Sequence, residues 1–288
     1  MSDPIEPATK TLLAVLAHPD DESFGMGGTL AIYARKGVAV HLVCATHGEA
    51  GEVDPRYLRG YNSIAEQRRD ELRCAAGILG LAGVHFLNYR DSGMAGSLTN
   101  HHPQALVAAL PDQVAADVTH YIRLLRPQVV LTFDPIGGYR HPDHIVIHQA
   151  TVRAFFAAGN PAIYPEDLPP FSPLKLYYHT IPLGFMRFMV KLMPLFGRDP
   201  RRQGRNQDID MVSIAAVSFP THAVINYRPV AAIREKAAAC HASQGGGGLI
   251  RGPFAVLRRW FSSYETFMRA YPPPIGRKER DLFEGILK

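Results

Sequence analysis

Two short clusters in this chain combine imidazoles with carboxylates: His18-Pro19-Asp20-Asp21-Glu22 and His141-Pro142-Asp143-His144. A catalytic zinc needs three protein donors drawn from His, Asp or Glu, plus an open position for water. His18, Asp21 and His144 would supply that set. Asp20 is then the spare carboxylate, placed to take a proton from the attacking water. Pro142 suits the first turn of a helix, where its missing N–H costs nothing. That puts His141 and His144 on one helical face, so one ring can bind metal while the other faces substrate. Asp143 is suited to holding an imidazole in its working tautomer. His148 is also one helical turn past His144, but is read as an ordinary helix histidine.

These residues need a frame that brings them together. Thr11–Ala17 is a continuous apolar run, as in a strand buried on both faces of a parallel sheet. The first cluster follows it at once, and a helix to Arg35 and a strand Val38–Ala45 come next. Further elements are a helix Ile64–Leu79, a strand Val84–Tyr89, a helix of about Gln104–Leu125 and a strand Val129–Phe133. The second cluster starts the helix after that strand. This alternation predicts a Rossmann-like three-layer α/β fold with a mostly parallel sheet. Its site would lie at the carboxyl ends of the strands. Beyond residue 160, strands are expected at Lys175–Ile181 and Ala223–Tyr227, and a helix at Pro229–Ser243. Gly245–Gly248 reads as a mobile loop or lid hinge, and the proline-containing tail after Tyr271 as peripheral packing. No clean boundary divides the chain. Residues 1–288 are read as one domain, with a core at about 11–160 and a less regular pocket and lid region at about 161–288.

The wider sequence carries the resemblance further. "AHPDDE" after an apolar strand with "HPDH" about 120 residues later resembles the LmbE/PIG-L family of zinc-dependent N-acetylglucosaminyl deacetylases. "THGEAGE" (Thr46–Glu52), "RRDEL" (Arg68–Leu72) and "HASQ" (His241–Gln244) are similar to family patterns. "YRDSGMAG" (Tyr89–Gly96) and "DPIGGYRHPDH" (Asp134–His144) resemble its mycothiol-biosynthesis deacetylase branch. The resemblance implies one zinc ion on His18, Asp21 and His144, with Asp20 as general base. It implies His141, as imidazolium, stabilising the oxyanion, with Asp143 orienting it. Tyr139 would add a hydrogen bond to the oxyanion, beside an Arg140 that departs from the small residue expected there. Arg68, Asp91 and Glu49 would bind substrate. The reaction implied is hydrolysis of an N-acetyl amide on an amino sugar or glycoconjugate. A His-Asp-His set also accepts other divalent ions.

Other function classes fare worse. A net charge of +5, from 31 basic and 26 acidic residues, is too weak to argue for nucleic acid. The first turn is not G-x-G-x-x-G, and its two carboxylates would repel a pyrophosphate. An amidase acting on a thiol conjugate or a natural product would use the same chemistry. A non-catalytic zinc- or sugar-binding protein has no need of both Asp20 and His141. Cys44, Cys74 and Cys240 show no CxxC spacing, so no disulfide and a reducing compartment are expected. Met1–Lys10 does not read as a signal peptide, and no apolar run reaches the length of a membrane span, so the protein is read as cytoplasmic. The apolar, methionine-rich and basic stretch Gly184–Arg198, followed by further arginines to 205, fits a membrane-surface lid, an interface between copies in a homo-oligomer, or a pocket wall. Leu249–Trp260 is a second basic and aromatic run.

Overall fold

The computed structural model describes residues 10–203, 207, 209–246 and 263–286. Its strands are β1 (Thr11–Leu16), β2 (Ala39–Thr46), β3 (Gly83–Tyr89), β4 (Val129–Phe133), β5 (Lys175–Thr180), β6 (Ala223–Asn226) and β7 (Tyr264–Tyr271). Its helices are α1 (Asp21–Gly25), α2 (Gly27–Arg35), α3 (Ile64–Leu79), α4 (Pro111–Leu125), the single turn α5 (Gly137–Arg140), α6 (Pro142–Ala157), α7 (Leu183–Leu192), α8 (Met211–Ala215) and α9 (Ala231–Cys240).

One sheet runs in the order β3-β2-β1-β4-β5-β7-β6. β1 is buried along its whole length, as its unbroken apolar sequence requires, and pairs in parallel with β2 on one side and β4 on the other. The chain leaves β1 toward β2 and β3, then crosses back to β4 and β5. The order therefore reverses between β1 and β4, and open α/β sheets bind ligands in the crevice at such a reversal. Both clusters follow these two adjacent strands. The predicted α/β fold with a mostly parallel sheet and helices on both faces is the one observed.

Helices cover both faces. Val114, Val118 and Ile122 of α4 join Ile147 and Ala154 of α6 in the main core with β1 and β4. Ala31 of α2, Ala75 and Leu79 of α3 and Ala237 of α9 form a second cluster. Removing the Leu13 side chain from this packed centre would cost about 2–5 kcal/mol. α3 is capped at its start by the Ser63 hydroxyl, which accepts from Glu66 N, while the Glu66 carboxylate reaches back to accept from Asn62 N. It stops at Gly80, whose φ of 78° a glycine adopts freely.

Three expectations need correction. The helix expected from about Gln104 starts at Pro111, because a proline removes the donor an interior position needs and settles at the first helical position. The tail after Tyr271 is not peripheral, since Leu282 and Phe283 join the main core, and the stretch before it holds an element that the sequence reading did not include. It is β7, an antiparallel strand inserted between β5 and β6. Its inward residues include a carboxylate: Glu265, buried, accepts from Gly28 N and Thr29 N, which hides the apolar alternation of a strand. Cys74 and Cys240 form a disulfide, with Cα atoms 5.9 Å apart. The two cysteines are distant in sequence and meet because α3 packs on α9, so local spacing could not show them. The pairing removes the reason for expecting a reducing compartment. Finally, the Gly245–Gly248 run lies partly, and Leu249–Trp260 wholly, outside the described residues.

α7 packs against α8, and Arg187 Nε donates to Ala215 O. Phe188, Leu195 and Phe196 on this segment are exposed. Among the described residues, no helix is long and apolar enough to cross a membrane.

Candidate active site

The carboxyl end of β1 delivers His18 into the crevice, and the start of α6 delivers His144 from beside β4. Both rings are buried. His144 is held flat against Phe133, the last residue of β4, with ring centroids 3.8 Å apart and planes 14° from parallel. His18 Nδ1 stands 3.2 Å from His144 Nε2. Asp21, at the first turn of α1, puts Oδ2 3.6 Å from His18 Nδ1 and Oδ1 3.3 Å from His144 Nε2. Its Oδ2 also accepts from the His18 backbone N–H at 2.8 Å.

These three edges can be tested against a metal ion. Tetrahedral ligands about 2.0–2.2 Å from zinc lie about 3.3–3.6 Å from one another. His18 Nδ1, His144 Nε2 and the Asp21 carboxylate group, with separations of 3.2 Å between the rings, 3.3 Å from His144 to Oδ1 and 3.6 Å from His18 to Oδ2, fall in that range. His141 also brings a ring nitrogen within 4.8 Å of donors on His18 and His144. Asp21 is the better third donor, because it touches both rings and carries the negative charge a divalent ion favours. The surrounding field agrees. Burial alone would depress the His18 pKa, yet Asp91, Asp143 and Asp21 together hold it well above the usual histidine range. The surrounding carboxylates therefore stabilise positive charge on this ring. Burial opposes ionisation of Asp21, but His144 and His18 hold its carboxyl below the ordinary range.

Asp143 is completely buried, and its role differs in part from the expectation. Its Oδ2 accepts from Ser92 N at 2.9 Å and lies 3.1 Å from His18 Nε2. The carboxylate thus orients the His18 ring, an arrangement that would suit a metal-binding imidazole whose second nitrogen passes to a carboxylate. Only the Asp143 backbone N–H meets His141, donating to Nδ1 at 3.2 Å. That hydrogen bond makes Nδ1 an acceptor and leaves the ring hydrogen on Nε2. Burial, with the charges of His18 and His144, pushes His141 down to about 3. This surrounding favours the neutral ring. Tyr139 sits edge-on to His141 and His144, at 5.8 and 5.0 Å between centroids. Arg140 points away to Ser213 O.

Asp20 adjoins the triangle. Its φ of 129° lies where residues other than glycine rarely sit. Several bonds hold it there: its N–H donates to Glu22 Oε2 at 3.0 Å, its C=O accepts from Ser23 N and Phe24 N, and its Oδ2 accepts from Arg68 Nη2 at 3.0 Å. Burial pushes the carboxyl up to about 6, against Arg68, which pulls it down. A base that titrates near 6 is ionised at neutral pH and still basic enough to take a proton.

The residues expected to bind substrate divide differently. Arg68 is buried and committed to protein: Nη1 donates to Gly48 O at 2.9 Å, and Nη2 to Pro19 O at 2.7 Å as well as to Asp20. It ties together the loops that carry Asp20 and Gly48. Asp91 Oδ1 accepts from Gly93 N and lies 3.4 Å from His18 Nε2, so this carboxylate also belongs to the cage. Glu49, partly exposed, accepts from Asp91 N at 3.0 Å. His148 donates from Nδ1 to Phe133 O, 2.8 Å away, and takes no part in the donor cluster.

Two buried pairings were not read from the sequence, although their members lie in the motifs it offered. Glu22 and His241 are fully buried and paired, Oε1 to Nε2, at 2.7 Å. Glu71 accepts from both Ser243 N and Ser243 Oγ, at 2.9 and 2.7 Å. "HASQ" carried the only signal for the second half of these pairs.

Comparison with known proteins agrees with this centre. The model of the PIG-L family, described as GlcNAc-PI de-N-acetylase, matches residues 13–155. A 1D-myo-inositol 2-acetamido-2-deoxy-alpha-D-glucopyranoside deacetylase of Streptomyces avermitilis is 35% identical, over 96% of this chain and 97% of its own. The chain belongs to the PIG-L family. A deacetylase with the same description from Acidothermus cellulolyticus is 36% identical, over 96% of this chain and 95% of its own. Among solved structures, the N,N'-diacetylchitobiose deacetylase of Pyrococcus horikoshii aligns with a TM-score of 0.62 at 21% identity, covering 91% of this chain and 84% of its own. The 4-carboxy-2-hydroxymuconate hydratase GalB of Pseudomonas putida aligns at 0.60 and 18% identity, over 93% and 99%. The fold is thus shared with a hydratase, and the reaction has to be argued from the site.

Proposed function

We propose that this PIG-L family member is a zinc-dependent N-deacetylase that hydrolyses the acetamide of an N-acetylglucosamine conjugate, releasing acetate and a free amine. The observation that carries this reading is the buried His18–His144–Asp21 triangle with Asp20 directly beside it. The near full-length relatives described as acting on the inositol conjugate of N-acetylglucosamine support that substrate class. Donor chemistry favours zinc, for which two imidazoles and a carboxylate are ordinary ligands.

A divalent ion bound by His18, Asp21 and His144 supplies Lewis-acid polarisation of the amide carbonyl and makes water more acidic. The chain's own residues do the rest. Asp20 takes the proton of the water as its oxygen attacks the carbonyl carbon. The Nε2 hydrogen of neutral His141 is available to the oxygen on which negative charge develops, and the Tyr139 hydroxyl is a second candidate donor. When the C–N bond breaks, the proton held by Asp20 passes to the leaving nitrogen. The products are acetate and the amine. Asp143 and Asp91 keep the His18 ring oriented throughout.

The test is Asp20→Asn. This variant should bind zinc stoichiometrically and lose at least about 100-fold in turnover. Full activity in Asp20→Asn would remove Asp20 from the role of base.

A further inference from the structure

We infer that His241 is a positioning residue for this reaction, acting through Glu22 on Asp20; the inference rests on the hydrolase reading above. His241 comes from the far end of the chain, 219 residues after Glu22, and both side chains are 0% exposed. Among the described residues, its Nδ1 has no hydrogen-bond partner, so its hydrogen bonding is directed at Glu22 Oε1, 2.7 Å away. Glu22 uses its other oxygen to accept the backbone N–H of Asp20 at 3.0 Å. Asp20 sits at a φ of 129°, a conformation that persists only where its surroundings over-determine it. The Glu22 carboxylate is one of those constraints. A buried carboxylate keeps its place only with a compensating partner, and His241 is the imidazole that supplies it, with the Ser23 hydroxyl as the second donor.

His241 is itself held from both sides. The residue before it, Cys240, is bonded to Cys74 of α3. Two residues after it, Ser243 donates through its N–H and its hydroxyl to Glu71, also of α3. The ring edge packs on Phe24 at 5.8 Å between centroids. The far half of the chain thereby sets the position of the base, although it contributes nothing to the metal-donor triangle.

The experiment compares wild type, His241→Ala and His241→Gln, each with Asp20 and with Asp20→Asn, after zinc loading. Turnover is read on 1D-myo-inositol 2-acetamido-2-deoxy-α-D-glucopyranoside, with zinc content and thermal unfolding measured on every variant. His241→Ala should lower kcat about 10–100-fold, leave KM within about threefold and keep stoichiometric zinc. His241→Gln, which retains a donor for Glu22, should recover to within about threefold of wild type. In the Asp20→Asn background His241→Ala should cost nothing further, since both changes disable one unit. If His241→Ala does not fold, Glu22→Gln, which removes the charge His241 pairs with, takes its place in the same comparison. Wild-type kcat in His241→Ala, or a loss that multiplies with that of Asp20→Asn, overturns the inference and leaves the hydrolase reading intact. A wild-type enzyme that releases amine neither from this substrate nor from other N-acetylated conjugates removes the hydrolase reading, and the inference with it.

Discussion

Replacing Arg68 by methionine should move the acid limb of the pH–rate profile toward higher pH. The guanidinium lies 3.0 Å from Asp20 Oδ2, with the two side chains 4% and 17% exposed. With about 4 Å between charge centres and an effective dielectric of about 20, the attraction is about 4 kcal/mol, equivalent to about three pKa units. Water entering the space vacated by the longer side chain will screen much of that, so a rise of about one unit is expected. The sign follows from the state that works: Asp20 must be ionised to accept a proton, and Arg68 stabilises the ionised form. Burial has already pushed this carboxyl up to about 6 against Arg68, so removing Arg68 raises it further. A bound metal ion lowers the value in both proteins alike, so the difference between profiles is the readout. The assay is kcat/KM for amine release from pH 4.5 to 9 in zinc-loaded wild type and Arg68→Met. Methionine also removes the donors to Pro19 O and Gly48 O, so kcat on the plateau should fall about 10–100-fold. Coincident acid limbs would refute the electrostatic account of Arg68, and a rise in KM with unchanged kcat would instead place it in contact with substrate.

Three further outcomes are expected. Gly48→Ala should reproduce the fall in kcat while keeping the charge, because a Cβ there overlaps the Arg68 guanidinium and the φ of +72° disfavours alanine; unaltered steady-state parameters would contradict it. His144→Ala should lose stoichiometric zinc while His148→Gln keeps it, as measured by metal analysis after dialysis, and zinc lost by both would put His148 back among the ligands. Cys74→Ser should lower stability by about 2–4 kcal/mol, seen as a melting temperature lower by about 5–10 °C, with Cys240 becoming titratable by thiol reagent; equal melting curves would deny the cross-link its role.

What the sequence displayed and what it concealed divide along physical lines. That His18, Asp21 and His144 come together was legible because each cluster is contiguous and directly follows a strand whose apolar run is unmistakable. β1, β2, α3 and β4 were legible for the same reason: local pattern and tertiary environment agree there. The roles of Arg68 and Asp143 were only half visible. Residue type marks a guanidinium or a carboxylate as functional, but its partners are backbone groups and rings from distant segments. The Glu22–His241 pair and the Cys74–Cys240 bond join residues 219 and 166 positions apart, and nothing local announces them. β7 was concealed because its buried Glu265 satisfies backbone donors of α2 and so reads as an outward-facing residue.

The most direct measurement is amine release by the zinc-loaded chain from a panel of acetylated substrates, with Asp20→Asn as the blank. The panel comprises N-acetylglucosamine, its inositol conjugate, a lipid-linked conjugate and a thiol-conjugate amide. Metal-dependent release from the inositol conjugate, absent in the blank, is the predicted result. No release from any member while zinc is bound one per chain would contradict the proposed deacetylase and leave the donor triangle as a binding site only.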